Sequence, residues 1–283
     1  MTVLKDIRNC FSFLTRFPVN DKINLFEDVA PKIWLFPIIG MVLGLISSFI
    51  NLILQNYLPI LFVGFLTLGF LLYITGGHHT DGLIDFGDGL MAMGSPERKI
   101  EVMHDVAIGT GGFLLAFIVL LLTGIAISYS NDFIIIILVL SEISAKFSMV
   151  AACSLGKSAK TTMADPFIKL NKKKHVCLSL ILSIILIVIT IIFINIFNII
   201  YDNYEIFEVI FPQLNNISIY NLIQVLIIIF TFLIGSFIPL ILIIKISNKN
   251  FNGLTGDCLG ALNEITRLCT LIFGLIINSI GYI

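Results

Sequence analysis

Apolar runs that approach the thickness of a membrane recur along this chain of 283 residues. A helix needs roughly 20 consecutive apolar residues to cross a hydrocarbon core about 30 Å thick, so each run predicts a membrane-spanning helix. Charged residues make up only 12% of the sequence, whereas a soluble domain has about 25%. We therefore expect an all-α fold, a polytopic transmembrane helical bundle that forms one integral membrane domain over residues 1–283. The predicted spans, about seven, are 33–54, 58–75, 111–130, 133–153, 176–200, 221–245 and 259–282.

Lysine and arginine residues fall in alternate loops, and this distribution predicts how the spans are oriented. Short cytoplasmic loops accumulate these residues. The intervening loops 55–57, 131–132 and 201–220 contain none, although 201–219 has room for a short interfacial segment. We expect a multi-pass protein of the cell membrane with its N-terminus in the cytoplasm. The four predicted cytoplasmic segments are an amphipathic N-terminal segment 1–32, the loop 76–110, a basic loop 154–175 and a glycine-rich loop 246–258.

The loop 76–110 begins with three aspartates, Asp81, Asp85 and Asp88, beside His79 and several glycines. Aspartates at positions i, i+4 and i+7 share one helix face, so their carboxylates repel one another unless a cation neutralises them. Mg²⁺ prefers oxygen ligands and is often shared between carboxylates and substrate phosphates. The pattern predicts a Mg²⁺ site in a catalytic cytoplasmic loop, and the alternative is that these acids cap helices or form a solvated face. His79 is a candidate proton acceptor or an orienting partner of a neighbouring acid.

Two glycine-rich turns on the same side are predicted phosphate sites. Gly109, Thr110 and Gly112 precede one span, and Thr255 and Gly256 precede the last. A helix start presents free backbone N–H groups and the positive end of the helix dipole, which favour phosphate. Such a turn is also found where a helix simply begins tightly, and that alternative stays open.

Two pairs of opposite charges fall within predicted spans. Glu142 and Lys146 stand four residues apart, and Glu264 and Arg267 three apart. A carboxylate inside a membrane helix is costly and usually faces the bundle interior or a wet cavity. Mutual neutralisation is one interpretation of both pairs. The other is a metal or substrate role for Glu264 and a contact between Lys146 and an anionic substrate.

These clusters resemble the motifs of the cobalamin synthase family, also called adenosylcobinamide-GDP ribazoletransferases. The family motif Gly-Gly-x-His-x-Asp-Gly-Leu-x-Asp-x-x-Asp-Gly is similar to residues 76–89. A second motif, Asp-x-x-Ile-Gly-Thr-x-Gly, is similar to 105–112, and a third, Gly-x-Thr-Gly-Asp-x-Leu-Gly-Ala, to 253–261. Residues 13–19 resemble the opening motif of the family, so the resemblance covers nearly the whole chain. This chain departs at Asn252, directly before that stretch, where the family motif begins with a further glycine, and it lacks arginines that many relatives carry around the second motif.

The resemblance implies a transferase that completes the lower nucleotide loop of vitamin B12. A ribose hydroxyl of α-ribazole, or of its 5′-phosphate, would attack adenosylcobinamide-GDP at the cobinamide-side phosphorus and expel GMP. The product would be adenosylcobalamin or its 5′-phosphate. The implied cofactor is Mg²⁺, held by Asp81, Asp85 and Asp88, with Asp105 and Asp257 as further candidate ligands. Candidates for a basic contact to the phosphates are Arg16, Lys146, Lys157 and Lys160.

The expected partners are these two small-molecule substrates and the lipid bilayer. Nothing in the sequence indicates binding to nucleic acid, and a homo-oligomer is left open. A membrane CDP-alcohol phosphotransferase is the first alternative, because Asp85-x-x-Asp88-Gly89 resembles part of its acidic motif. The chain lacks the rest of that pattern. A cation-coupled transporter is the second alternative, but its site would lie near the middle of the bilayer, whereas these acids lie in loops.

Overall fold

The computed structural model describes residues 3–17, 28–130, 133–159, 164–201 and 220–280. Helices dominate these ranges, which contain no strand and a single isolated β-bridge, between Ser158 and Leu254. The predicted all-α fold is therefore confirmed. The segment 201–219, where an interfacial element has room, lies outside the described residues apart from its first position.

Eleven α-helices and one 3₁₀ helix, Ala30–Leu35, follow one another in the described residues. The short ones are α1 (Val3–Leu14), α5 (Pro96–Met103) and α8 (Asp165–Leu170). The others are α2 (Phe36–Gln55), α3 (Ile60–Ile74), α4 (His78–Met91), α6 (Thr110–Ser128), α7 (Ile134–Leu155), α9 (Lys173–Tyr201), α10 (Leu222–Asn250) and α11 (Gly256–Ser279).

Six helical segments are long and apolar enough to cross a membrane, and α3 together with α4 makes a bent seventh. The six are α2 with the 3₁₀ helix before it, α6, α7, α9, α10 and α11. Large apolar side chains such as Phe117 and Phe193 are exposed on the outer faces of α6 and α9, where a bilayer would cover them. The predicted multi-pass bundle of about seven spans is confirmed, whereas its orientation stays a prediction.

Helix α7 forms the centre of the bundle. It is buried along almost its whole length, and it packs against α2, α9, α10 and α11. Helix α2 approaches it closely through small residues, because a Cβ on Gly44 would lie only 2.5 Å from the Cα of Val139. Membrane helices associate through such small-residue contacts, since lipid supplies no hydrophobic driving force between them.

A sharp bend separates α3 from α4. The two helix axes differ by 95°, and the two residues at the turn, Gly76 and Gly77, have φ angles of 70° and 72°. L-amino acids with a Cβ avoid this left-handed region. The glycine pair therefore lets the chain leave the spanning direction and continue as α4.

Helix α4 lies across the starts of α6 and α11. A Cβ on Gly87 would be 2.8 Å from the carbonyl oxygen of Gly111, and one on Gly82 would be 3.0 Å from the Cα of Asp257. Only glycine allows backbones this close. The segment 76–110 thus contains two helices, α4 and α5, and it brings the three sequence clusters together at one end of the bundle.

Candidate functional site

Asp85 lies at the centre of a group of carboxylates on α4 and α11. The pKa of its carboxyl is raised to about 7. Burial is the largest cause, and the negative charges of Asp257 and then Asp81 add to it. Like charges within a few ångströms disfavour ionisation of a carboxyl group. The structure thus brings Asp257 from the last helix to the aspartates of the first cluster. A bound cation would reduce the repulsion between their carboxylates.

Asp88 binds the backbone at the start of α6. Its Oδ2 accepts a hydrogen bond from the N–H of Gly109 (2.8 Å), and its Oδ1 accepts one from the N–H of Gly112 (2.7 Å). The side chain is only 8% exposed, so these are charge-assisted bonds shielded from water. Asp88 therefore fastens α4 to α6, and the capping alternative left open by the sequence applies to this aspartate.

Removing the Asp88 carboxylate should destabilise the protein even when no metal is present. We expect Asp88→Ala to lower the free energy of unfolding by about 3 kcal/mol, because two buried N–H groups lose charged acceptors. Thermal unfolding in detergent with EDTA measures this change. Asp81→Ala is the matched control, since Asp81 is exposed, and it should unfold like the wild type. An unchanged stability of Asp88→Ala would contradict the fastening role.

The glycine-rich turn before α6 has fewer free donors than the sequence predicts. Two of its N–H groups, those of Gly109 and Gly112, are taken by Asp88. Thr110, by contrast, is an exposed residue at the first position of the helix. A phosphate contact at this turn would therefore involve exposed Thr110 rather than the two bonded glycines.

The turn before α11 combines a helix cap at Thr255 with a left-handed backbone conformation at Asn252. The hydroxyl of buried Thr255 accepts a hydrogen bond from the N–H of Cys258 and so caps the helix. The preceding residue Asn252 has a φ of 59°, a left-handed value that asparagine tolerates better than most residues with a Cβ. This explains structurally how asparagine stands where the family motif has glycine. Gly256 lines the pocket described below.

His79 is buried in the first turn of α4, and its Nε2 has no hydrogen-bond partner in the described part of the chain. Burial lowers the pKa of its imidazole well below the ordinary value, and the positive charges of Lys146 and Arg267 lower it further. The ring is therefore neutral at pH 7. A neutral imidazole accepts a proton or a hydrogen bond, as either of the roles predicted for His79 requires.

A buried network of four charged side chains lies beneath His79. Arg267 donates hydrogen bonds to the carboxylates of both Glu142 and Glu264. Lys146 lies 3.7 Å from Glu142 and donates to the side-chain oxygen of Asn263 (2.6 Å). All four charged side chains are at most 1% exposed. The predicted pairing is confirmed for both pairs, and the contacts of Lys146 lie inside this network rather than at an open surface.

A cavity of about 470 Å³ opens beside α4. Asp81 and Asp257 lie on its wall together with His79. Most of the remaining wall is apolar and comes from α1, α2, α7 and α8. Ligand sites commonly have this character, an apolar pocket of 300–1,000 Å³ (roughly) with a few convergent polar groups.

The carboxylates fit Mg²⁺ in chemistry, although they do not form a closed cage. Among the described residues, no group of three or more histidine, cysteine, aspartate or glutamate side chains is placed to hold a metal ion. Mg²⁺ commonly binds through only one or two carboxylates and takes its other ligands from water and substrate phosphates. Asp81, Asp85 and Asp257 are the candidates to supply those one or two carboxylates, since both oxygens of Asp88 already accept backbone hydrogen bonds.

The other candidates are spread around this end of the molecule. The carboxylate of Asp105 accepts a hydrogen bond from the N–H of Ala107 within its own exposed turn. Arg16 stacks its guanidinium 5.0 Å from the ring centre of Tyr73, beside the bend after α3. Lys157 is exposed on the chain that pairs with Leu254. Lys160 lies outside the described residues.

Sequence reasoning did not identify the apolar wall of the pocket. Phe13, Phe36 and Phe167 all contribute to it, yet they lie far apart in the chain and in different helices. The only signal was the resemblance of residues 13–19 to a family motif, which marks Phe13 but does not indicate its neighbours.

Fold and site together define a polytopic helical membrane protein with a carboxylate-walled pocket at one end of its bundle. A family model described as cobalamin-5-phosphate synthase matches residues 6–275, and the chain belongs to this family. It is therefore a transferase of cobalamin synthesis, as the motifs predict. No solved structure matches the chain.

Relatives from three organisms support the same assignment. A protein of Methanocella arvoryzae is 30% identical over 272 residues, which cover 95% of this chain and 94% of the relative. One of Thermococcus kodakarensis is 31% identical over 94% of this chain and 96% of its own length. One of Methanosarcina barkeri is 36% identical over 52% of this chain and 57% of its own length. Each of the three is named adenosylcobinamide-GDP ribazoletransferase.

Proposed function

We propose that this protein transfers the adenosylcobinamide phosphate group from adenosylcobinamide-GDP to α-ribazole or its 5′-phosphate, releasing GMP. The match of the cobalamin-5-phosphate synthase family to residues 6–275 carries the proposal. The carboxylate-walled pocket supports it, because transfer between two phosphate-bearing molecules needs a site that handles negative charge. The names of the relatives supply the substrates.

Mg²⁺ is the cofactor that we propose. When bound by one or two of Asp81, Asp85 and Asp257, it would neutralise the pyrophosphate of the donor and the phosphate of departing GMP. The support is electrostatic, because burial and then the neighbouring negative charges raise the pKa of Asp85 to about 7, and such a group of carboxylates would repel a pyrophosphate unless a cation were bound. Asp81 and Asp257 are part of the pocket wall, so phosphates neutralised there would lie beside the pocket.

The acceptor hydroxyl must lose its proton as it attacks the phosphorus atom. Among the side chains that line the pocket, the neutral imidazole of His79 and the carboxylate of Asp81 are bases that can accept it. We assign the proton acceptor to this pair. A general base must lie within hydrogen-bond reach of the proton it removes, and both side chains belong to the wall of the pocket.

We further propose that the pocket faces the cytoplasm of a cell membrane. The lysine and arginine residues of segments 1–32, 76–110, 154–175 and 246–258 support this orientation. The starts of α4, α6 and α11 belong to these segments, so the same orientation would put the site on the cytoplasmic side of the bilayer.

The purified protein in lipid should release GMP when given Mg²⁺, adenosylcobinamide-GDP and α-ribazole. Chromatography of the nucleotide product measures the reaction, and an EDTA-treated sample is the control. The same assay with α-ribazole 5′-phosphate decides which acceptor gives the higher kcat/KM. GMP release no greater than in the EDTA control, with either acceptor, would refute the proposed reaction and its metal dependence.

A further inference from the structure

Three aromatic rings form one wall of the pocket. Phe13 stacks against Phe36 at 6.0 Å between ring centres and against Phe167 at 5.5 Å. The three residues come from α1, α2 and α8, and all three line the cavity. A preformed aromatic wall favours a flat aromatic ligand, because aromatic pairs add stabilisation beyond the area they bury.

The ionisable side chains and the aromatic rings of the pocket come from different helices. His79, Asp81 and Asp257 belong to α4 and α11, whereas the aromatic wall belongs to α1, α2 and α8. A ligand that spans the pocket must therefore be apolar at one end and carry hydroxyl groups at the other. This is the chemistry of a nucleoside with an apolar base.

We propose that this pocket binds the acceptor, with its benzimidazole base against Phe13, Phe36 and Phe167 and its ribose toward Asp81 and Asp257. The proposal rests on the proposed function. It places the attacking hydroxyl beside the carboxylates and leaves the pyrophosphate of the donor to approach from the open side of α4. The base is thereby buried while the reacting oxygen stays at the polar end.

Size and polarity exclude the parts of the donor from the same position. A corrin macrocycle with its side chains is much larger than a cavity of about 470 Å³. Guanine and adenine would fit by size, but their edges carry hydrogen-bond donors and acceptors that lose water on entering an apolar pocket. The methylated benzimidazole of α-ribazole carries no donor and a single acceptor nitrogen, so its burial against phenylalanine costs less and stabilises it.

Two substitutions test the pocket, one by enlarging it and the other by filling it. Phe167→Ala removes one ring of the wall and should raise the KM for α-ribazole about tenfold while leaving the KM for adenosylcobinamide-GDP unchanged. Cys153→Leu, at another lining position, adds bulk and should shift preference about tenfold toward a riboside of benzimidazole without methyl groups. Phe232→Ala is the control for loss of a buried ring, because Phe232 packs against Phe147 away from the pocket.

Direct binding separates this proposal from the proposed function. The benzimidazole fluorescence of α-ribazole is titrated with full-length protein in nanodiscs, with no donor and no Mg²⁺ present. Wild type and Phe232→Ala should bind alike, and both pocket variants should bind α-ribazole about tenfold more weakly. Cys153→Leu carries the test alone if Phe167→Ala fails to fold.

The outcomes are distinct. Wild type that binds α-ribazole but releases no GMP would refute the reaction and leave the pocket assignment standing. GMP release with pocket variants that bind α-ribazole like the wild type would refute the assignment and leave the reaction standing. A rise in the KM for adenosylcobinamide-GDP alone would give the pocket to the donor. Unchanged α-ribazole binding together with loss of a co-purified lipid from the variants would give it to an acyl chain, which also overturns the proposal.

Discussion

Replacing Asp85 with asparagine is expected to lower the rate of GMP release by about 1000-fold, because metal-assisted neutralisation of phosphate charge contributes several kcal/mol at 1.36 kcal/mol per tenfold in rate. Asparagine has nearly the same size as aspartate, so packing on α4 is retained. The measurement is single-turnover GMP release at saturating Mg²⁺. Circular dichroism and detergent extraction check that the variant is folded and inserted.

The metal-free stability of the same variant gives a second readout with a definite sign. The pKa of Asp85 is raised from 3.8 to about 7 in the folded protein. A group with a raised folded pKa contributes stability that is lost as the pH rises through that range. Without Mg²⁺, Asp85→Asn should therefore match the wild type near pH 4 and unfold at a higher temperature than the wild type near pH 8. Asp105→Asn, in an exposed turn, should unfold like the wild type at both pH values.

The turnover measurement decides the metal role of Asp85. Near-normal GMP release by Asp85→Asn would remove this residue from the metal site.

The spans and the aspartate group are predictable from the sequence because both depend on local patterns. An apolar run of sufficient length specifies a spanning helix by itself, and α7 and α10 lie within a few residues of their predicted bounds. The helical spacing of Asp81 and Asp85 likewise needs no distant information. Pairing of Glu264 with Arg267 follows from their separation of three residues on one helix.

The different roles of similar residues are not predictable from the sequence. Asp85 and Asp88 have the same chemistry and lie three residues apart, but the start of α6 approaches only Asp88 and takes up both of its oxygens. The bond between Arg267 and Glu142 joins residues 125 positions apart. The aromatic wall depends on where α8 packs relative to α1 and α2. These are long-range contacts, and no periodicity within one helix encodes them.

Arg267 should be the most costly single residue to remove from the bundle. It is fully buried and balances two glutamates, Glu142 and Glu264. Arg267→Met leaves those two carboxylates with only Lys146 as a counter-charge. Breaking a buried ion pair by removing one partner destabilises a protein by about 3–5 kcal/mol, and charge within a membrane span is tolerated only when paired. Unfolding by increasing SDS fraction in mixed micelles measures the change.

Charge balance, rather than the loss of a large side chain, is the physical cause that this prediction invokes. The double variant Arg267→Met with Glu264→Met restores one negative charge, Glu142, opposite one positive charge, Lys146. It should recover most of the lost stability, because an apolar pair of similar volume replaces a buried ion pair with little penalty. Arg98→Met is the surface control, since Arg98 and Glu101 form an exposed pair, and such pairs contribute little. A double variant no more stable than Arg267→Met would show that the guanidinium stabilises the bundle through packing and its own hydrogen bonds, and not by neutralising two glutamates.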